Sequence, residues 1–379
     1  MAITGLQPLP VKVSNKDAFA ILGLLSMVSG KVGRLDEKFR HSIVSDSLVQ
    51  ILSLSESVES TRIEGTQVTF TDMVEEKDDR NPRWEVIEVA NYQRALMEGA
   101  ELIGSGYPIS TKLILSLHKT LMRDARGSSQ ASGEFRKVQN FIGPTKRIED
   151  ASCIPVPANE IGRYMSNLEN FINGHPYGER LPLEHLGETS EEWLVFDESA
   201  HPLVKTAILH AQFESIHPFL DGNGRLGRIM VVLHLMQSET MAKPIFFVSE
   251  ELEKEKMRYY DLLNGVRGGD PDWGSWIIFF LKACDRMADA INEKLDAAEE
   301  LARAGLRECE TASDRRVWIY SFSNVVATAS AVAKDLKMAP NTARSSLKNL
   351  VEKGPLYTDR QTKRNKKYRN YDLLRILSK

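Results

Sequence analysis

The chain has 379 residues, 42% of them hydrophobic and 27% charged, the balance of an ordinary globular protein long enough for two or three domains. Its three cysteines, Cys153, Cys284 and Cys309, lie far apart without CxxC spacing, which argues against a disulfide framework or thiolate metal site and for a reducing, cytoplasmic setting. The net charge of −3 hides an asymmetry: residues 311–379 carry 15 Lys and Arg against 5 Asp and Glu, a balance of +10 that leaves −13 elsewhere, so only the tail has the bulk charge for nucleic acid.

In chain order, the N-terminal MAITGLQPLPVKVSNK lacks a basic region leading into an apolar one, so no secretory signal is expected. No uninterrupted run of eighteen apolar residues marks a membrane span, and no membrane partner is expected. Apolar residues recur at three- and four-residue spacing over 17–33, 43–63, 84–103, 110–125, 158–173, 203–215, 224–239, 252–265, 273–304 and 330–352, which predicts helices. Strand-like stretches are short: 153–157 and 367–371. Breaks fall at Gly104–Pro108, Gly174-His175-Pro176 and Gly268–Pro271. The fold class is therefore mainly α. A long amphipathic helix ends near Glu310, and beyond it Ala329–Leu336 and Pro340–Glu352 form two helix candidates, followed by the basic segment Arg360–Arg369 with strand-like edges. That order resembles a winged helix-turn-helix, with Asn341, Thr342, Arg344, Ser345 and Lys348 facing outward on its second helix. Such modules bind DNA or dock proteins, so either partner is open for 311–379.

The chemistry concentrates in residues 217–228, His-Pro-Phe-Leu-Asp-Gly-Asn-Gly-Arg-Leu-Gly-Arg. Residues 203–215 predict a buried helix, which Pro218 ends at His217 because proline disfavours helical geometry in the residue before it. A second apolar helix resumes at Leu226. Gly222, Asn223 and Gly224 let the backbone turn its N–H groups inward as an anion nest, and the positive end of the following helix adds to it. Asp221 is a hard oxygen ligand suited to Mg²⁺ bridging phosphates. Arg225 and Arg228 can neutralise phosphate, and His217 can take a proton from an attacking hydroxyl. Phe219 anchors the loop. Taken alone, a His before Pro is usually a helix end and Asp-Gly-Asn-Gly usually a turn; their conjunction with two arginines is what favours phosphoryl-type transfer, which needs positioning and charge neutralisation above all. Gly222–Gly227 literally matches GxGxxG, but no strand precedes it, so the dinucleotide fingerprint is rejected. A zinc site from His210, Glu214 and His217 is also set aside for want of another nearby ligand; His210 reads as a core residue.

These twelve residues match, at every specified position, the signature HxFx(D/E)GNGRxxR of the Fic (filamentation induced by cAMP) family. The resemblance extends over roughly residues 45–285. Gly133–Arg136 with Gln139–Gly143 look like the approach to the family's target-docking hairpin, the flap, and 150–157 like the flap and its exit. Tyr259-Tyr260 and Trp276–Phe280 resemble its closing helices. Ser60-Thr61-Arg62-Ile63-Glu64-Gly65 matches the family's inhibitory motif, (S/T)xxxE(G/N).

The resemblance implies a Fic-type helical bundle with a β-hairpin flap. It also implies transfer of AMP from ATP to a Ser, Thr or Tyr hydroxyl of a target protein or of the chain itself. His217 would be the base, Asp221 the Mg²⁺ ligand, Gly222, Asn223, Gly224, Arg225 and Arg228 the phosphate contacts, and Tyr260 the aromatic that packs on adenine; Arg267 stands where some relatives have Asn. Ser60 and Glu64 would be inhibitory, with a salt bridge from Glu64 holding Arg228 off the γ-phosphate. The implied division is an N-terminal helical region at 1–110 with its inhibitory helix at about 46–65, a core at 111–285, a linker helix at 286–310 and the winged module at 311–379. The rival readings are a DNA-binding regulator with a nucleotide-sensing domain, and removal of AMP with Glu64 as base for water. Family members often dimerise, which leaves a homodimer open.

Overall fold

Helical periodicity becomes helix along most of the chain. The computed structural model describes residues 2–75, 82–125, 132–143, 147–174, 178–187, 192–359 and 366–378. The break expected at His175-Pro176 and the basic residues Arg360–Asn365 lie outside them.

Two short strands, β1 (Ile3–Thr4) and β2 (Val11–Ser14), lead into α1 (Asn15–His41). Then come α2 (Ser45–Ile63), α3 (Phe70–Glu75), α4 (Trp84–Gly104) and α5 (Thr111–Leu121). Beyond β3 (Cys153–Ile154) lie α6 (Ile161–Asn173), β4 (Trp193–Phe196), α7 (Pro202–Ile216) and α8 (Asn223–Gln237). α9 (Ser249–Lys254), α10 (Lys256–Gly265) and the long α11 (Trp273–Glu308) complete the bundle. The C-terminal part is α12 (Ala312–Tyr320), β5 (Val326–Thr328), α13 (Ala329–Asp335), α14 (Pro340–Glu352), β6 (Tyr357–Thr358), β7 (Lys367–Arg369) and α15 (Tyr371–Leu377).

α7 is the centre. Leu203 through Ile216 are all buried, and α8 is buried from Asn223 to Leu235, so the loop between them is carried on the two most enclosed helices of the fold. α11 closes one side, where Trp276 donates its indole N–H to the Ala207 carbonyl at 2.8 Å. α1 runs along α11 and is longer than the periodicity predicts. Ser14 caps its start by accepting from the Asp17 N–H, and its polar last turns are held by Lys31 to Asp285 and Asp289 (2.8 and 2.6 Å) and Lys38 to Asp296 (2.7 Å). By length and composition α1 is apolar enough to cross a membrane, with 28% of its most apolar window buried. An uninterrupted-run test misses it because Gly and Ser punctuate the helix.

The structure departs from the expected elements in physical ways. Residues 252–265 become two helices with a turn at Glu255, whereas the two helices expected at Ala329–Leu336 and Pro340–Glu352 form as expected, with Lys337 left-handed (φ 50°) between them. Where a flap hairpin is expected, the described residues show one antiparallel bridge, Ile142 to Cys153, flanked by β1 pairing in parallel with β3. β2 and β4 form an antiparallel pair in the register Val11 to Phe196.

In the C-terminal part, β5, β7 and β6 form an antiparallel sheet in that order, and Arg369 lies opposite both Val326 and Tyr357. α14 begins with Pro340 and exposes Asn341, Thr342, Arg344, Ser345 and Lys348 while burying Ala343, Leu347 and Leu350. The module seats on α11 through Trp318, whose indole donates to the Ala302 carbonyl at 2.9 Å. A Cβ on Gly305 would lie 2.3 Å from the Trp318 ring. Helix propensity alone would make Gly305→Ala stabilising by about 1 kcal/mol. The overpacking cost of about 1–3 kcal/mol is expected to win, so Gly305→Ala lowers the calorimetric midpoint of the C-terminal part.

Candidate functional site

α7 ends as Pro218 requires, but the residue before the proline takes the left-handed conformation (φ 50°, ψ 60°) instead of an extended one. This turns the His217 ring out of the helix while its N–H still reaches the Phe213 carbonyl at 3.0 Å. His217 Nδ1 lies 3.3 Å from the Glu214 carbonyl, which can only accept, so Nδ1 carries the hydrogen and Nε2 is left as the basic nitrogen. Burial, with help from the Arg267 cation, pushes its pKa down to about 4, which keeps the ring neutral at physiological pH.

The loop is self-bracing. Asn223 gives its side chain to Phe219, accepting from the N–H and donating to the carbonyl, both at 2.9 Å. The Asn223 side chain thus shapes the loop, and its backbone N–H, at the start of α8, is left for an anion. Gly222 is left-handed (φ 80°), and its N–H donates to Asp221 Oδ1 at 2.6 Å. The Asp221 carboxylate is more than half exposed, and Arg225 Nη2 approaches it at 3.3 Å. Among the described residues no three His, Cys, Asp or Glu converge on a metal-sized site. A single exposed carboxylate beside an anion cradle fits Mg²⁺, which keeps its waters and is completed by substrate phosphates.

Two supports escaped the sequence reading. His118, on α5, stacks on Phe219 with centroids 3.7 Å apart, accepts from the Gly133 N–H at 2.9 Å and so donates from Nε2 to the Asp221 carbonyl at 3.1 Å. Burial lowers its pKa to about 4, consistent with that neutral tautomer. Arg136 is buried and spends its guanidinium on carbonyls: His217 at 2.9 Å, Val138 at 3.1 Å, and Val156. It thereby ties both sides of the flap region to the left-handed histidine. A lone His on an apolar helix face and an Arg eighty residues away carry no local signal of this.

The cations are unequal. Arg225 is buried, with Nη1 3.8 Å from Glu88, while its Nε and Nη1 make no hydrogen bond. Arg228, 1% exposed, is engaged through Nε and Nη2: Nε donates to Ser60 Oγ at 2.7 Å, and Nη2 to the Ser60 carbonyl at 2.9 Å and to Glu64 Oε1 at 2.7 Å. Glu64 caps the C-terminal end of α2, with left-handed Gly65 after it. Its carboxylate overlies the first turn of α8 so closely that a Cβ on Gly224 would fall 2.1 Å from Oε1. Burial favours the neutral acid, but Arg228, then Arg225 and His217, outweigh it and hold the carboxyl below its ordinary pKa. A carboxylate thus sits in the cradle expected for phosphate.

The remaining residues frame this centre. Tyr260 donates to the Ile63 carbonyl at 3.2 Å, joining α10 to the end of α2. Arg267 is turned onto Ser215, Asn264 and the Glu214 carbonyl. His210 belongs to an aromatic cluster with Tyr259, Trp276 and Phe280, its Nε2 2.8 Å from the Tyr259 hydroxyl.

A histidine at the end of one buried helix, a glycine turn opening the next and two buried arginines define the class of helical proteins with a Fic-type anion-binding loop. The chain belongs to the Fic/DOC family: residues 108–235 match the Fic/DOC family model and residues 22–101 the model of the Fic/DOC family N-terminal region. Segments of it resemble "Protein adenylyltransferase Fic" of Nematostella vectensis, 31% identical over 35% of this chain, and of Drosophila erecta, 26% identical over 43%. The matches span 29% and 26% of those relatives' own lengths. A Fic family protein from Desulfovibrio desulfuricans has the same fold across 96% of this chain and 98% of its own, with a TM-score of 0.55 at 19% identity. Fic-1 of C. elegans covers 74% of this chain and 75% of its own at a TM-score of 0.51 and 20% identity.

α2 carries one more acid toward Arg228. Glu56 is buried and bonded to Tyr92 and Ser249, and burial pushes its pKa up to about 7. A folded pKa above the unfolded one means the stabilisation is complete below the unfolded value and lost as pH rises through 7. Glu56→Gln is therefore expected to flatten the decline in melting temperature between about pH 5 and 8, measured by calorimetry.

Proposed function

We propose that the chain is a protein adenylyltransferase whose resting state is off. The observation that carries this reading is the Glu64 carboxylate lying on Gly224 and paired with the buried Arg228. In the active state the triphosphate of ATP replaces that carboxylate over the first turn of α8. The N–H groups of Asn223 and Gly224 and the under-used Arg225 guanidinium receive phosphate oxygens, with Arg228 released from Glu64. Asp221 would hold Mg²⁺, which neutralises phosphate charge when bound. His217 Nε2 takes the proton of a target hydroxyl as its oxygen attacks the α-phosphorus. The bond from that phosphorus to the bridging oxygen breaks, and pyrophosphate leaves with the electron pair. Tyr260 offers an aromatic face for adenine. Arg136 and His118 keep the loop and the histidine in register while the flap region receives the target backbone. The names of the matched adenylyltransferases support the same reaction.

Glu64→Gly is expected to raise incorporation from α-phosphate-labelled ATP by more than about tenfold, the equivalent of about 1.4 kcal/mol. Equal labelling of both proteins ends the autoinhibition reading. In that background His217→Ala should cost about 10²–10⁴-fold in transfer, with nucleotide binding by calorimetry retained.

The pH dependence follows from the depressed histidine. A base with a pKa of about 4 is neutral throughout the physiological range, so transfer by Glu64→Gly should stay level from pH 8 to 6 and fall only below about pH 5. An acid limb centred near 6.5 would show that His217 is not held in this environment.

A further inference from the structure

The segment that follows the inhibitory helix is gripped by the C-terminal module. After Glu64 the chain turns at Gly65, passes Val68 and enters α3, which ends at Glu75. Val58, Val68, Met73, Val86 and Val89 form a hydrophobic cluster of their own, separate from the main core. Val58 of α2 and Met73 of α3 pack into this small satellite of five buried residues, while Ile63 at the end of α2 and Phe70 and Val74 of α3 pack against the main core. On the outer side Glu75 is held by β7. Arg369 donates from Nε at 2.8 Å and Nη2 at 3.2 Å to its two oxygens, and Lys367 Nζ reaches Oε2 at 2.9 Å and the Glu75 carbonyl at 3.1 Å.

Strand alternation puts Lys367 and Arg369 on one face, while Tyr368 between them packs toward the core. The module's apolar seat is elsewhere, on α11 through Trp318. Between it and α2, α3 and α4 runs a groove lined by Leu54, Met73, Val86, Ala90 and Ser323. Contact with the inhibitory region on this side is thus a polar clamp beside a cleft.

A forked guanidinium and an ammonium closed around one carboxylate form a site whose chemistry phosphate satisfies equally well. The same module has the +10 balance noted above, and α14 exposes Arg344 and Lys348 among Asn341, Thr342 and Ser345. We propose that residues 311–379 bind duplex nucleic acid through its phosphate backbone, that the backbone displaces Glu75 from Lys367 and Arg369, and that losing this clamp frees the satellite cluster and the inhibitory helix. Nucleic acid is then the activating effector of the transferase. The activation half rests on the adenylyltransferase reading; the competition half does not. Because linkage is reciprocal, whatever weakens the clamp must strengthen duplex binding by the same factor that the duplex weakens the clamp.

The test uses the full chain, a fluorescent mixed-sequence DNA duplex and labelled ATP. Wild type should bind the duplex with an affinity that falls steeply with salt. Glu75→Gln, conservative and at a partly exposed position, should bind several-fold tighter. Arg344→Ala, on α14 and away from the clamp, should bind more weakly with basal labelling unchanged. Duplex should raise labelling by wild type, Glu75→Gln should raise it without duplex, and neither should add to Glu64→Gly. Equal duplex affinity in wild type and Glu75→Gln, or no binding by either, overturns the competition. Activation by Glu75→Gln without any duplex binding overturns the nucleic-acid assignment in favour of an acidic protein surface. If Glu64→Gly labels nothing, the transferase reading has failed, and the affinity comparison alone decides the clamp.

Discussion

A guanidinium that is 1% exposed must have acceptors for its N–H groups, and most of the site follows from where Arg228 finds them, the Glu64 carboxylate among them. Leaving such a charge unpaired costs about 3–5 kcal/mol, so Arg228 is never simply vacant. α2 meets the demand with residues one helical turn apart: the Ser60 hydroxyl and carbonyl, then the Glu64 carboxylate, with the raised-pKa Glu56 a turn before. A triphosphate meets it with oxygens of higher charge. The two are alternatives for one cation and one helix end. On the proposed function, an internal carboxylate thereby opposes ATP without blocking the whole cleft.

The geometry that makes this competition productive is set by backbone. Left-handed residues at His217 and Gly222 bracket the loop, and Asn223 closes it by bonding both ends of Phe219. Arg136 and His118 then clamp it from outside by accepting or donating to main-chain groups. None of these supports needs nucleotide to be in place. The loop is preorganised, so binding energy need not be spent on shaping it. In the proposed reading, what has to move is α2.

The part of this arrangement that is contiguous in sequence is legible there. Residues 217–228 display base, carboxylate, glycine turn and arginines within four helical turns, and Ser60 to Gly65 reads as a helix end with an ill-placed acid. The bundle is equally readable, because a buried helix repeats its apolar positions many times. What escapes is short or distant. β1, β2 and β4 are two to four residues long and have no period to detect, and β1 pairs with Cys153-Ile154, the strand-like stretch about 150 residues later. His118 and Arg136 are single polar residues whose partners are carbonyls, which every residue has. The last turns of α1 look too polar to be a packed helix until Lys31 and Lys38 meet the aspartates of α11.

The same distinction explains how regulation is distributed. Chemistry sits on α7 and α8, whose faces are buried all round and which cannot shift without opening the core. In the proposed reading the brake is Glu64 on α2, and the chain beyond it meets a satellite cluster of five side chains and ion pairs at partly exposed positions. Exposed ion pairs are individually weak, on the order of 0–1 kcal/mol, and sensitive to competing anions. A device meant to be released belongs on contacts of that kind, whereas a catalytic loop belongs on the core. Glu64 at the end of α2 lies against Arg228 and the chain beyond it is tied by Glu75 to the basic strand, so in the proposed reading α2 is an element through which a surface event can reach the buried arginine.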